Sequence, residues 1–363
     1  MQQKDSIRIV VSLICFGMLF CVPTLGNAQR TSQVKCFLPA AWEGRETKLV
    51  VQPLYQNVIV NTAIVVNRQA TFKVSTADLS SAYIWIEGNN EDVHFLIDSP
   101  QIDIAYDPTA SIPIVISGSS NSEVWQQQRS LLDQLTEVST TLPIDLSLLN
   151  AAGDSLFVYE KMADSLRRNY EIVIANMIKE NSSSAASWYL FATHFSSLPY
   201  KTALELFGKL SAFRHYPSYE YIERNLLGKQ TEGKLFNYSF SNLSGEHIAI
   251  PTLRKKLILI DFSSSHLISC LWRHVSLKKL YKQYQPLGFE ILTISREFDK
   301  AMGQVALQKE SLPWLTTMES TTVFEAFNVE RIPDNLLLDA TGTVIKRDLS
   351  IQDLTGILMT TLK

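Results

Sequence analysis

Cysteine is scarce in this chain of 363 residues: there are four, and Cys15 and Cys21 both fall in the first apolar run. A scaffold held by several disulfides is excluded, because Cys36 and Cys270 could close one bridge at most. Sequence leaves that pairing open, and Cys36, in a strand-like stretch, reads as a small buried hydrophobe. Charge of one sign is also lacking. Lys and Arg number 33 against 36 Asp and Glu, a formal net charge of −3. No basic block is dense enough to track a phosphate backbone, so no nucleic-acid partner is expected. Long hydrophobic runs are missing too. The stretch from Ile9 to Val22 falls short of the ~20 residues that a membrane-spanning helix needs.

That short run, preceded by Lys4 and Arg8 and followed by "PTLGNAQ", has the layout of a secretory signal over residues 1–28. Gly26 and Ala28 are the small residues at −3 and −1, which puts the mature start at Gln29 and leaves no transmembrane segment in the mature chain. Cys15 follows "SLI" and Cys21 follows "MLF", and the bulky residue before each fits poorly with lipid modification.

Three patterns succeed one another after the leader, which makes this a multidomain chain. Over 29–119, segments such as "TKLVVQPL", "VIVNTAIVV", "ATFKV" and "IDIAY" alternate with period two between turn residues. They predict an N-terminal antiparallel β-sandwich. Over 120–230 the period changes to three and four, with Ser120 and Glu123 in capping-box spacing. This is the helical middle segment. His194 and His215 lie in it without acidic or thiol neighbours at ligand spacing, and are read as packing or surface residues. "LLGKQTEGK" is a polar joint, and 231–363 alternates strands and helices as an α/β domain. In it "FNYSFSNLSGEHIAI" predicts a hairpin, "LILIDF" a buried strand and "NLLLDATGTVIKRD" a second hairpin.

The stretch from Asp261 to His274, "DFSSSHLISCLWRH", runs from that buried strand towards a helix. Together with "NVERIPDNLLLDATG" it resembles the thioredoxin superfamily, in the exported branch of thiol-disulfide reductases and of the alkyl hydroperoxide reductase and thiol-specific antioxidant group. The resemblance covers about Gly233 to Lys363, and the preceding β part resembles a domain of unknown function that often accompanies such modules. It implies a thioredoxin-like fold and a place in the periplasm or outer envelope of a Gram-negative bacterium. Family members carry Cys-x-x-Cys after this strand. Alignment without gaps puts Leu267 on the first cysteine and Cys270 on the second, so the attacking thiol is missing. Asp261 matches the buried carboxylate that helps deprotonate the second cysteine, although a purely structural role at a strand end suits it equally. Pro333 in "RIPDN" matches the cis-proline that faces the dithiol.

The resemblance therefore implies a degenerate active site that binds a partner or peptide rather than exchanging disulfides. Candidate peptide-binding residues are Ile332, Pro333 and Leu267, because the residue before the cis-proline turns its backbone groups outward for strand pairing. The candidate catalytic residues are Cys270 and Asp261, and the alternative reading is a one-cysteine thiol oxidoreductase or peroxidase using Cys270. A peroxidatic pattern would place proline at Ser263 and a hydroxyl at Leu267, and neither is there. His266, Cys270 and His274 recur every four residues, but the outer two would lie ~12 Å apart along a helix, too far for one ion. They read as surface histidines, and neither metal nor other cofactor is expected.

Overall fold

The computed structural model describes residues 30–86, 93–109, 114–140, 154–318 and 322–363. The leader and the mature start at Gln29 lie outside the described residues. Two compact units emerge. The first ends at Ser122 and takes in Tyr216–Ser218; the second holds 123–215 and Tyr219–Lys363.

In the first unit the strands are β1 (Arg30–Phe37), β2 (Glu46–Pro53), β3 (Ile59–Ile64), β4 (Gln69–Thr76), β5 (Ser80–Ile86), β6 (Val93–Ile97), β7 (Gln101–Tyr106) and β8 (Ile114–Ser117). They form two four-stranded sheets, β4-β1-β7-β8 and β3-β2-β5-β6. Alternation sends every second side chain inward. Val34 and Cys36 of one sheet and Leu49, Val51 and Ile84 of the other share a single core. The sandwich is not purely antiparallel, since β1 runs parallel to β7. Period-two patterning identifies the buried face of a strand but not the direction of its neighbour. Here the chain traverses the second sheet before returning beside β1, and a long crossover of that kind permits parallel pairing. Tyr216–Ser218 join this unit through Asp78, whose carboxylate accepts from the Ser218 N–H at 2.6 Å and from its hydroxyl at 3.0 Å.

The second unit contains the helices α1 (Ser122–Thr140, from Glu123 onward), α2 (Asp154–Glu180), α3 (Ala185–His194), α4 (Tyr200–Lys209) and α5 (Pro217–Gly228, from Tyr219 onward). Trp188 is fully buried among Phe191, Phe207, Phe213 and Tyr219. These helices are tied to the α/β part that follows. The Tyr200 N–H donates to Asp348 at 3.0 Å, and the Asn328 side-chain amide donates to the Asn225 carbonyl at 2.7 Å.

The α/β part comprises β9 (Ser239–Ser241), β10 (His247–Ala249), β11 (Leu257–Ser263), α6 (Ile268–Tyr284), β12 (Phe289–Ser295), α7 (Lys300–Glu310), β13 (Leu315–Met318), α8 (Thr322–Ala326), β14 (Asp334–Asp339), β15 (Val344–Arg347) and α9 (Ile351–Thr361). Its sheet has the order β13-β12-β11-β14-β15. The first three strands are parallel, and β14 and β15 run antiparallel. Both faces are covered, which is why β11 and β12 are buried along their whole length rather than at alternate residues. Leu257 and Leu259 pack with Leu277 and Leu280 of α6 and Leu354 and Leu358 of α9. On the other face Ile258, Ile260 and Phe262 meet Phe324 of α8 and Phe236. The Ile332–Pro333 bond, just before β14, is cis. Both hairpins read from sequence are present, but α7 and β13 go beyond that reading. Within α7 only Gly303 and Leu307 are buried, so it has almost no apolar stripe to detect.

Candidate functional site: the β11–α6 turn and a buried charge network

β11 ends at Ser263, and α6 begins with Leu267 at its N-cap, in extended backbone and without a side-chain cap bond. Ser, Thr, Asp or Asn normally accept from the first free N–H groups there, which leucine cannot do. A thiol at this place would gain from the helix dipole and from solvent; Leu267 gives neither nucleophile nor acceptor. Cys270 is one turn on, fully buried, its N–H bonded to the Leu267 carbonyl at 3.0 Å. Burial pushes its thiol up to about 11, and the Asp261 charge adds to this, against the lowering effect of a hydrogen bond with Ser263. Cys36 is likewise buried and free, its thiol pushed up to about 12 by burial.

Asp261, in β11, is completely buried and is surrounded by partners. His274 Nε2 meets its Oδ2 at 2.9 Å, and the Thr293 hydroxyl donates to the same oxygen at 3.2 Å. Arg273 Nε lies 3.2 Å from Oδ1, an ion pair without hydrogen-bond alignment, since both atoms lack hydrogen-bond partners. The opposite nitrogen of His274, Nδ1, meets Glu310 Oε1 at 2.6 Å. The imidazole thus sits between two carboxylates, with Trp314 edge-on at 6.0 Å and its indole N–H donating to Thr293 at 2.9 Å. Burial alone would lower the pKa of His274, but Asp261 and Glu310 raise it to about 9, so it is an imidazolium at neutral pH. Burial would raise Asp261, and the His274 bond and charge with the Arg273 charge overcome that and leave it lowered.

The surface-histidine reading is corrected on two counts. His274 is 2% exposed, because its polar atoms are satisfied by carboxylates from other elements. His266 precedes α6 altogether, so the four-residue repeat does not lie on one helix. A second polar cluster anchors the turn. Glu297 accepts from the Ser265 N–H and hydroxyl, both at 2.8 Å, and from the Ser295 hydroxyl. Gly303 makes room for it: a Cβ there would lie 2.4 Å from the Glu297 Cγ. Phe298, next in the chain, is 97% exposed and stands 5.0 Å from the His266 ring.

The mixed five-stranded sheet, with α6 launched from its central strand and the β14–β15 hairpin closing it, decides the architecture. The C-terminal unit contains a domain of thioredoxin-like fold. The chain is 22% identical over 111 residues to "Thiol-disulfide oxidoreductase ResA" of Halalkalibacterium halodurans, a match spanning 30% of this chain and 63% of that relative. Among solved structures it is similar to a thiol-disulfide oxidoreductase from Bacteroides fragilis, with 26% identity, a TM-score of 0.33, and coverage of 36% of this chain and 99% of that one. It is also similar to the thioredoxin domain of a thiol-disulfide oxidoreductase from Bacteroides vulgatus, with 19% identity, a TM-score of 0.34, and coverage of 36% and 98%. Residues 34–125 match a family described as a domain of unknown function (DUF4369).

Within the thioredoxin-like domain, Asp261 and Cys270 are close enough for the carboxylate to raise the thiol. Leu267 and Cys270 occupy the first turn of α6, and Ile332 is half-buried against the Phe262–Phe324 core. Glu310, Glu297 and Trp314 have no place in the sequence reading, and His274 enters it only as a surface histidine. The signal available for His274 was its place one turn beyond Cys270; nothing local pointed to Glu310, 36 residues away. Among the described residues no group of three or more His, Cys, Asp or Glu is arranged to hold a metal ion, and no helix is long and apolar enough to cross a membrane.

Proposed function

We propose that the thioredoxin-like domain is degenerate as a redox site and binds an extended segment of a partner protein instead of cycling two thiols. The carrying observation is Leu267 at the α6 N-cap. Two-thiol exchange needs a thiolate to attack first and a second thiol to resolve the mixed disulfide. Here the first position cannot attack, and the second is a buried thiol raised to about 11. The same two facts argue against the one-cysteine enzyme. Asp261 does not rescue it, because its carboxylate is engaged by His274 and Arg273 rather than free to take a proton from Cys270.

Apolar surface at this end of the sheet favours contact. Leu267 and Ile332 are half-buried and Phe298 is almost fully exposed. An extended peptide would add its backbone beside Ile332 and Pro333 by strand pairing. The test is insulin disulfide reduction alongside peptide-binding calorimetry. Wild type is expected to show no turnover, Leu267→Cys to gain measurable turnover by restoring Cys-x-x-Cys, and Cys270→Ser to bind peptide as tightly as wild type. Robust wild-type turnover, or peptide binding lost with the Cys270 thiol, overturns the proposal. Export is part of the same proposal and is supported by the leader pattern. The intact mass of chain secreted by its host should begin at Gln29; a retained leader would count against it.

A further inference from the structure

We infer that the edge strand β3 of the N-terminal sandwich pairs with β3 of a second copy of this chain, joining two four-stranded sheets across a two-fold axis at Thr62. Among the described residues β3 ends its sheet, with β2 on its single flank. An edge strand leaves a row of backbone groups open, and proteins blunt such edges with charge, shortness or cover. The other three edges of this sandwich are blunted. β4 carries Lys73 on its exposed face, β8 has four residues, and in β6 the Leu96 N–H is taken by the Ser122 hydroxyl. Among the described residues β3 has none of these devices over 60–64; beyond it the Val66 N–H and carbonyl are both bonded to Gln69. No charged residue stands between Lys48 and Arg68, and Val60 and Ile64 are 56% and 52% exposed.

The occupant follows from register. Val65 N–H donates to the Arg45 carbonyl at 3.0 Å, and Gly44 N–H donates to the Val65 carbonyl at 2.9 Å. Odd-numbered residues of β3 therefore face β2 with their backbone groups, and Val60, Thr62 and Ile64 turn theirs to the open edge. An antiparallel partner must bond to those three. If it is a second β3, Thr62 meets Thr62 on the axis and Val60 meets Ile64 on either side. Two β-branched apolar pairs then flank a hydroxyl pair on one face of the sheet, the kind of cross-strand match that stabilises a ladder. The sequence Val-x-Thr-x-Ile is its own antiparallel complement, which a strand shaped for an unrelated partner need not be.

The test uses the full mature chain. Sedimentation velocity should show a dimer for wild type and a monomer for Thr62→Pro. That proline removes only an outward N–H, a substitution edge strands tolerate, so circular dichroism should be unchanged. Ile64→Lys, which sets a charge against Val60, should also give a monomer. Paired residues of this type have Cα atoms about 5.5 Å apart, inside disulfide range, so Thr62→Cys should cross-link on mild oxidation while Thr71→Cys on β4 does not. The native thiols Cys36 and Cys270 are buried and do not interfere. A wild type that stays monomeric, a Thr62→Pro that stays dimeric, or cross-linking equal at both positions overturns the inference.

Discussion

Replacing His274 with alanine is expected to destabilise the C-terminal unit by about 3–5 kcal/mol, the cost typical of breaking a buried ion pair by removing one partner. The loss comes less from the missing contacts than from what is left behind. Asp261 is completely buried and the Glu310 side chain is 13% exposed; without the imidazolium only Arg273 opposes the first, and Lys278 reaches only the Glu310 carbonyl, at 3.1 Å. Uncompensated buried carboxylates must take up protons or draw in water, and either loosens the contact between β11, α6 and α7. For a unit of this size the change corresponds to a melting point lower by roughly 10 °C. Thermal unfolding followed by circular dichroism measures it, and a shift of one or two degrees would mean that the network contributes little.

The same imidazole gives stability a pH dependence of defined sign. The folded pKa of His274, about 9, lies above its ordinary value of 6.5. Its contribution is therefore complete below about pH 6.5, declines as pH rises, and is lost through pH 9. A shift of this size is worth about 3 kcal/mol. Asp261, shifted downward, acts at the other end: its contribution is present above the usual carboxylate pKa and lost in acid. Urea unfolding at pH 6 and at pH 8.5, below the range in which Cys36 and Cys270 would ionise on unfolding, should differ by about 2 kcal/mol in wild type, whereas His274→Leu should show most of the difference abolished. A flat wild-type profile across this window would contradict the charged-imidazole assignment.

Much of this architecture is legible in the sequence, for physical reasons that differ by element. β2 and β4 are half-buried strands, so alternation exposes them; β11 lies between two helical layers, so its continuous apolar run exposes it. Asp261, Leu267 and Cys270 stand out as candidates because they lie within ten residues of one another at the strand-to-helix junction, and Pro333 because it sits in "RIPDN" just before a strand. α7 and β13 were hidden by weak burial and by the polar Thr316 and Thr317 in the strand. The largest omission was the charge network. Its members come from β11, α6, β12 and α7, and only folding brings Glu310 to His274. A histidine at helical spacing reads as surface until the carboxylates that satisfy it are known. The parallel β1–β7 pair was hidden for a related reason, since pairing direction is a property of the assembled sheets.

A degenerate site holds no reactive thiol, and the reactivity of Cys270 in the native chain tests this most directly. Alkylation by a thiolate-selective reagent at pH 7.5, localised by mass spectrometry, should be at least about 100-fold slower in native protein than in urea, because a thiol whose pKa is pushed up to about 11 is almost entirely protonated at that pH and this one is also shielded. Labelling of Cys270 in native protein as fast as in urea would contradict the account and restore Cys270 as a working nucleophile.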